Sequence, residues 1–228
     1  MAAPIIAIDG PSGSGKSSTS RGVAQRLHLR YVDTGAMYRA MTWWMLEHRV
    51  DVHDPAAVAA RCAEPVVTLR DDPSDPGVEV DGRDVSAPIR GRAVADAVSL
   101  VAAVPQVRER LVARQRELVV DAVAHGHGVV MEGRDIGTVV LPEADLKVYL
   151  TADVEARASR RAREEAEREG TGSVSAAQAN LQARDALDST RSTSPLQQAP
   201  GAVVIDGTDL TLDQVIDAVI AALPVDLR

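Results

Sequence analysis

The stretch Gly10-Pro11-Ser12-Gly13-Ser14-Gly15-Lys16-Ser17 decides the fold. It follows the apolar run Ile5-Ile6-Ala7-Ile8 and opens a segment, Ser17 to Leu27, with helical character. Strand, glycine loop, helix is the context in which G-x-x-x-x-G-K-[ST] spacing marks a phosphate-binding loop. Three glycines let the backbone turn back so that several N–H groups converge on one anion. The helix start adds partial positive charge. Lys16 is then placed to reach β- and γ-phosphates, and the Ser17 hydroxyl to ligand Mg²⁺. Of 25 Lys plus Arg only Lys16 and Lys147 are lysine, so a compact point charge is kept at the loop in an arginine-rich chain.

Outward from the loop, strands and helices alternate. Residues 4–9 read as a buried strand, 16–28 as helix, Tyr31-Val32 as a short strand ending at Asp33-Thr34-Gly35, and 35–49 as an amphipathic helix. Asp54-Pro55 starts another helix, running to about Ala63. The texture then changes. Val66 to Leu69, Val78 to Val80 and Val85 are short extended pieces separated by Pro-Gly and Asp-Gly signals, which predicts a small antiparallel insert over 64–90. Residues 91–124 read as helix interrupted near Pro105. Val129 to Met131 and Leu146 to Leu150 are core strands, 153–169 is a charged helix, Gly170 to Ser173 a linker, and 175–190 a helix. Ala202 to Ile205 reads as the last core strand, and 211–222 as the closing helix. The alternation predicts an α/β fold, a parallel sheet with helices on both faces. Its ligand site lies at the carboxyl ends of the strands, where Asp9-Gly10, Asp33-Thr34 and Glu132 to Asp135 are expected to converge.

A net charge of −8 argues against broad binding of nucleic-acid polymers, but not against a small anion held by local arginines. Cys62 stands alone, so neither a disulfide framework nor a cysteine zinc site is expected. With no signal-peptide pattern and no apolar run of 18 residues, the chain reads as cytoplasmic and off the membrane.

Glu132 ends an apolar strand; such a carboxylate either helps hold Mg²⁺ or serves there without a metal. In Gly133-Arg134-Asp135 the arginine offers a fork for phosphate and the carboxylate an acceptor for an exocyclic amine. The second copy, Gly82-Arg83-Asp84, follows a hairpin signal and reads as a turn. The charged 153–169 helix, whose Arg157, Arg160 and Arg161 fall on one face by their spacing, is either solvated and ion-paired or, the favoured reading, a lid that brings arginines to the triphosphate, Arg157 and Arg161 first. Arg184, Asp188 and Arg191 share one face of the next helix. His125-Gly126-His127 reads as a loop rather than a metal site.

These residues carry a resemblance. The opening Ile8-Asp9-Gly10-Pro11-Ser12-Gly13-Ser14-Gly15-Lys16-Ser17, the run Asp33 to Arg39, Gly133 to Thr138 and the Arg184 to Arg191 stripe together resemble the bacterial cytidylate kinase family over nearly the whole chain. The resemblance implies a single P-loop kinase domain: core about 1–62, 91–152 and 192–228, a β-containing monophosphate-binding insert about 63–90, and a helical lid about 153–173. It implies transfer of the γ-phosphoryl group of ATP to CMP or dCMP, with Mg²⁺, by a chain acting as a monomer. By motif, Gly10 to Ser18 resembles the ATP loop; Tyr38, Arg39, Arg134 and Arg191 the surroundings of the CMP phosphate; Ser99, Arg108 and Asp135 the readers of cytosine; Thr34, Arg184 and Asp188 the ribose contacts, with Asp33 nearby. Lys16, Arg134, Arg157, Arg161 and Arg191 are the expected catalytic cations. Thr34 stands where many relatives carry Ser, and Ser18 where several carry Thr.

Two rival readings frame this expectation. One is a kinase with the same core acting on another nucleotide or a sugar-like alcohol. The other is a guanine-nucleotide switch, which would normally show N-K-x-D; Asn180, followed by Leu181, is the only asparagine.

Overall fold

The computed structural model describes residues 3–169, 172–190 and 194–227. In chain order it runs β1 (Ile5–Asp9), α1 (Lys16–Leu27), β2 (Arg30–Asp33), α2 (Thr34–Glu47), α3 (Pro55–Arg61), β3 (Val67–Arg70), β4 (Gly77–Val80), β5 (Arg83–Asp84), α4 (Arg92–Ala102), α5 (Pro105–Ala124), β6 (Val129–Gly133), a π-helical turn (Ile136–Val140), β7 (Leu146–Thr151), α6 (Val154–Glu169), α7 (Val174–Thr190), β8 (Val203–Asp206) and α8 (Leu212–Ala222). Short 3₁₀ turns lie at Pro88–Arg90 and Val225–Leu227.

Five parallel strands form the central sheet in the order β2-β6-β1-β7-β8. Alternate residues of β1 explain its two covered faces. Ile6 and Ile8 pack with Val23 of α1 and Val215, Ile216 and Val219 of α8. Ala7 points the other way, into a cluster with Val119 and Ala122 of α5 and Ile136 and Val140 of the π-turn. A third cluster joins α2, α4 and the antiparallel β3-β4-β5 insert through Met37, Met41, Val78, Val80 and Val85. The insert's Asp-Gly turn has φ of 53° at Asp81 and 78° at Gly82, the left-handed pair that suits a tight hairpin.

Two expectations change. The third insert strand is Arg83–Asp84; Val85 follows it, buried, with its amide still bonded to Val78 O at 2.9 Å. And β8 is an edge strand rather than a core one: Ile205 is buried, but Val203 and Val204 are 41% and 50% exposed. With a neighbouring strand on one side only, β8 contributes Ile205 alone to the core cluster shared with α8.

Register fixes the site. Asp33 of β2 pairs with Glu132 of β6, and Asp9 of β1 pairs with Gly133. The carboxyl ends of three neighbouring strands therefore lie side by side.

Candidate active site

The loop after β1 bends through left-handed glycines, φ +153° at Gly10, +76° at Gly13 and +91° at Gly15. At Gly10 the need is also steric: a Cβ there would sit 2.0 Å from Leu150 O. Gly15 caps α1 without any side-chain hydrogen bond, so the first-turn amides are left for a ligand. Lys16 is buried, and its Nζ donates to Pro11 O at 2.7 Å. Burial, aided by the nearby Arg134, brings its ammonium down to about 7, while Glu132, Asp9 and Asp185 oppose that shift.

One cavity of about 550 Å³ runs from this loop to the far side of the strand ends. Its loop side is walled by Ser12 through Thr19, Arg160, Arg161 and Arg163 of α6, and the apolar Leu210, Leu212 and Val215. Its other end is walled by Asp33, Thr34, Tyr38, Arg39, Ser99, Arg108, Arg134, Asp135, Arg184 and Asp188. Glu132 lines the same cavity. So Ser12 to Ser18 of the predicted loop and every predicted acceptor-side residue except Arg191 share one cavity. Arg191 lies outside the described residues.

The other side is dominated by cations. Arg134 donates to Asp188 Oδ2 at 2.9 Å and to Gly10 O at 3.1 Å. Arg39 pairs with Asp33 at 2.9 Å, while Asp33 also accepts the Ala36 amide and so caps α2. Arg184 is brought down to about 10, first by burial and then by Arg134, with Arg39 and Arg161 adding to it and Asp188 opposing. The Nε groups of Arg39, Arg108 and Arg184 are buried without a hydrogen-bond partner among the described residues. Desolvated N–H groups of that kind fit a bound anion.

Arg108 and Asp135 form a buried ion pair beside these cations, with Arg108 5.4 Å from the Tyr38 ring centroid. Thr34 Oγ1 donates to Glu132 O at 2.7 Å, leaving its lone pairs free to accept. Glu132 accepts from Tyr31 Oη at 2.5 Å and from Ser17; burial, then Asp33, raises its carboxyl above the ordinary range. Burial, then Glu132, pushes the Tyr31 phenol up.

Three predicted residues have other surroundings than expected. Gly10 and Pro11 do not line the cavity; their carbonyls hold Arg134 and Lys16. Arg157 is not in its wall either. It is buried beneath the loop, donating to Ala152 O at 3.0 Å, Ser12 O at 2.9 Å and Asp185 Oδ2 at 2.5 Å. It sits one turn nearer the sheet than Arg161, so shared helix face did not mean shared exposure. Tyr31, Asp185 and the π-turn have no counterpart among the site residues read from the sequence, and Asp9, expected at the strand ends, serves there as an anchor for that turn. Asp9 accepts the amides of Ile136 at 2.8 Å and Gly137 at 2.7 Å, a contact over 127 residues of chain that no local pattern announces.

A nucleotide-sized cavity at the strand ends, with a P-loop lysine at one end and a crowd of arginines for a second anion at the other, defines a small-molecule kinase of the P-loop class. Comparison with known proteins makes this particular. The sequence profile described as cytidylate kinase matches residues 6–224. The cytidylate kinase of Streptomyces avermitilis is 54% identical over 96% of this chain and 91% of its own. That of Nocardia farcinica is 55% identical over 93% and 90%. The chain belongs to the cytidylate kinase family. A crystal structure of an uncharacterized protein from Eubacterium ventriosum, 15% identical, superposes with a TM-score of 0.51 over 99% of both chains, a likeness of fold.

Proposed function

We propose that this chain transfers the γ-phosphoryl group of ATP to CMP or dCMP, with the donor on the glycine loop and the acceptor against Arg39, Arg134 and Arg184. The observation that carries the reading is the shared cavity: Lys16 and the open α1 amides at one end, and at the other buried guanidinium N–H groups without partners among the described residues. Two anions that repel in water are screened by those cations and aligned, and phosphoryl transfer needs little else. A nucleotide phosphate is largely dianionic at pH 7, so no strong general base is required. Asp135 accepts from the N4 amine of cytosine; uracil presents a carbonyl there and is disfavoured. Ser99 and Arg108 flank that base, Thr34 and Asp188 the sugar, and Tyr38 the phosphate.

Ser17 and Glu132 supply the oxygen donors that suit Mg²⁺, which when bound would neutralise charge between the β- and γ-phosphates. Among the described residues there is no cluster of three or more His, Cys, Asp or Glu, which fits an ion that takes most of its ligands from phosphate and water. Leu210, Leu212 and Val215 offer an apolar seat for the donor base. Residues 153–173 act as the lid over the triphosphate, with Arg161 reaching inward, and residues 63–90 as the acceptor-side insert. One chain completes the cavity, which supports a monomer. No described helix is long and apolar enough to cross a membrane, and the lone Cys62 supports a cytoplasmic setting.

The test is coupled ADP release across CMP, dCMP, UMP, AMP and shikimate. Rapid turnover with CMP and dCMP is expected. Turnover with another acceptor and none with CMP would overturn the assignment.

A further inference from the structure

α7 touches both ends of the cavity through residues three apart. At the acceptor end Asp188 holds Arg134 at 2.9 Å. At the donor end Asp185 divides its two oxygens: Oδ1 accepts the Ser12 amide at 3.0 Å, and Oδ2 accepts Arg157 Nη1 at 2.5 Å. Arg157 closes the ring by donating to Ser12 O at 2.9 Å. Both polar groups of the Ser12 peptide are thus gripped, the N–H from α7 and the carbonyl from α6. Gly13, the next residue, is pressed on the same two helices: a Cβ there would lie 3.3 Å from Arg157 Cβ and 3.4 Å from a Leu181 methyl. The crest of the phosphate loop is therefore held by helices that otherwise belong to the lid and the acceptor.

We infer that Asp185 is a positioning residue that couples the two nucleotide subsites, by tying the Ser12–Gly13 crest to the helix that carries Arg184 and Asp188. The inference rests on the assignment of the two cavity ends to donor and acceptor. A bound monophosphate fixes α7 through Arg184 and Asp188. A fixed α7 holds the crest in one geometry, so the donor meets an ordered loop. Linkage requires the reverse effect to be equal. The carboxylate is needed because it accepts from two donors at once; an amide in its place can accept from Ser12 or face Arg157 with its N–H₂, a donor against a donor. The pair also cancels charge. Without the carboxylate, the buried Arg157 adds an uncompensated cation beneath the loop, which favours a triphosphate.

The test is calorimetric titration of the full chain with CMP and with the non-hydrolysable β,γ-imido analogue of ATP plus Mg²⁺, each alone and each in the presence of the other. Wild type is expected to show reciprocal tightening of at least about fivefold, the lower end of ordinary coupling. In Asp185→Asn the factor is expected to fall below about twofold, with affinity for the analogue alone equal or tighter. Arg157→Lys keeps the charge but loses the planar fork whose Nε and Nη1 span Ala152 O, Ser12 O and Asp185 Oδ2, and is expected to lose the coupling too, so the reading does not depend on one variant folding. Wild type binding both ligands with a factor of one would overturn the inference while leaving the site assignment standing. So would a folded variant of either kind with wild-type coupling, or one in which both single affinities drop and the factor is unchanged, the signature of a merely structural residue. Failure of wild type to bind either nucleotide would overturn the site assignment and this inference with it.

Discussion

Replacement of Asp135 by alanine tests two consequences of one geometry. Its partner Arg108 stands with Asp135 in a pair whose side chains are only 4% and 6% exposed. Once the carboxylate is gone, the guanidinium keeps little: Ala102 O at a long 3.4 Å and the Tyr38 ring face. Its Nε has no hydrogen bond among the described residues to begin with. Stranding a buried charge in this way costs about 3–5 kcal/mol. For a chain of 228 residues each kcal/mol lowers Tm by about 2–4 °C, so Asp135→Ala should melt roughly 6–20 °C below wild type. The double variant Arg108→Met/Asp135→Ala removes the stranded charge and should recover much of that loss. Function should change separately. A base-reading hydrogen bond is worth about 1–3 kcal/mol of discrimination, so the CMP-to-UMP ratio of kcat/KM should fall by about 5- to 150-fold, with KM for ATP little altered. Steady-state kinetics at low temperature, where the variant stays folded, give the ratio; thermal melts give the stability. A melt within 2 °C of wild type together with unchanged selectivity would refute both the desolvation argument and the base-reading role.

Lys16→Ala removes the buried ammonium of the glycine loop; if it meets the donor phosphates as proposed, kcat should drop by about 10²–10³, with Tm unchanged or higher, and near-normal turnover would contradict the transition-state role. Asp9→Asn probes linkage. Burial raises the Asp9 carboxyl from 3.8 to about 6 against the opposing Gly137 and Ile136 amides, so between those values the folded chain keeps a proton that the unfolded chain has lost. This group therefore stabilises the fold least above pH 6; the wild-type advantage over Asp9→Asn should shrink by about 2 kcal/mol from pH 4 to pH 7, as read by urea unfolding, and a flat difference would refute the assigned shift. Gly10→Ala should be far more damaging than Gly82→Ala. The first collides with Leu150 O, whereas the second meets nothing within 4 Å and carries only left-handed strain of about 1–2 kcal/mol; equal losses by denaturant titration would dismiss the steric account.

What the sequence discloses here depends on how far apart the interacting residues lie. The loop from Gly10 to Ser17 is legible because its pattern is local: strand, glycines, lysine and helix within a few turns of chain. The insert is legible for the same reason, since Asp81-Gly82 and Pro76-Gly77 punctuate short strands, although its last strand is shifted by the residues that actually pair. The parallel sheet follows from alternation of elements, but alternation does not say which strand ends at an edge, and β8 was taken for a core strand for that reason. The π-turn at Ile136–Val140 was invisible because Asp9, and Arg116 through the carbonyls of Val139 and Val140, hold it from elsewhere in the chain. Arg157 shows the same limit within a helix. Spacing put it on one face with Arg161, yet depth along the axis separates them, one pinned to Ser12 and Asp185 and the other paired with Glu165 at the cavity wall. Periodicity reports direction around a helix and is silent about distance from the sheet. Likeness of motif picks out the residues that share this wall, but no motif announces its internal wiring, in which Asp33 holds Arg39, Asp188 holds Arg134 and Asp185 holds the loop. Those three carboxylates fix arginines or amides at the cavity, and a net charge of −8 is compatible with an anion site because each of them is already engaged by a cation or an amide.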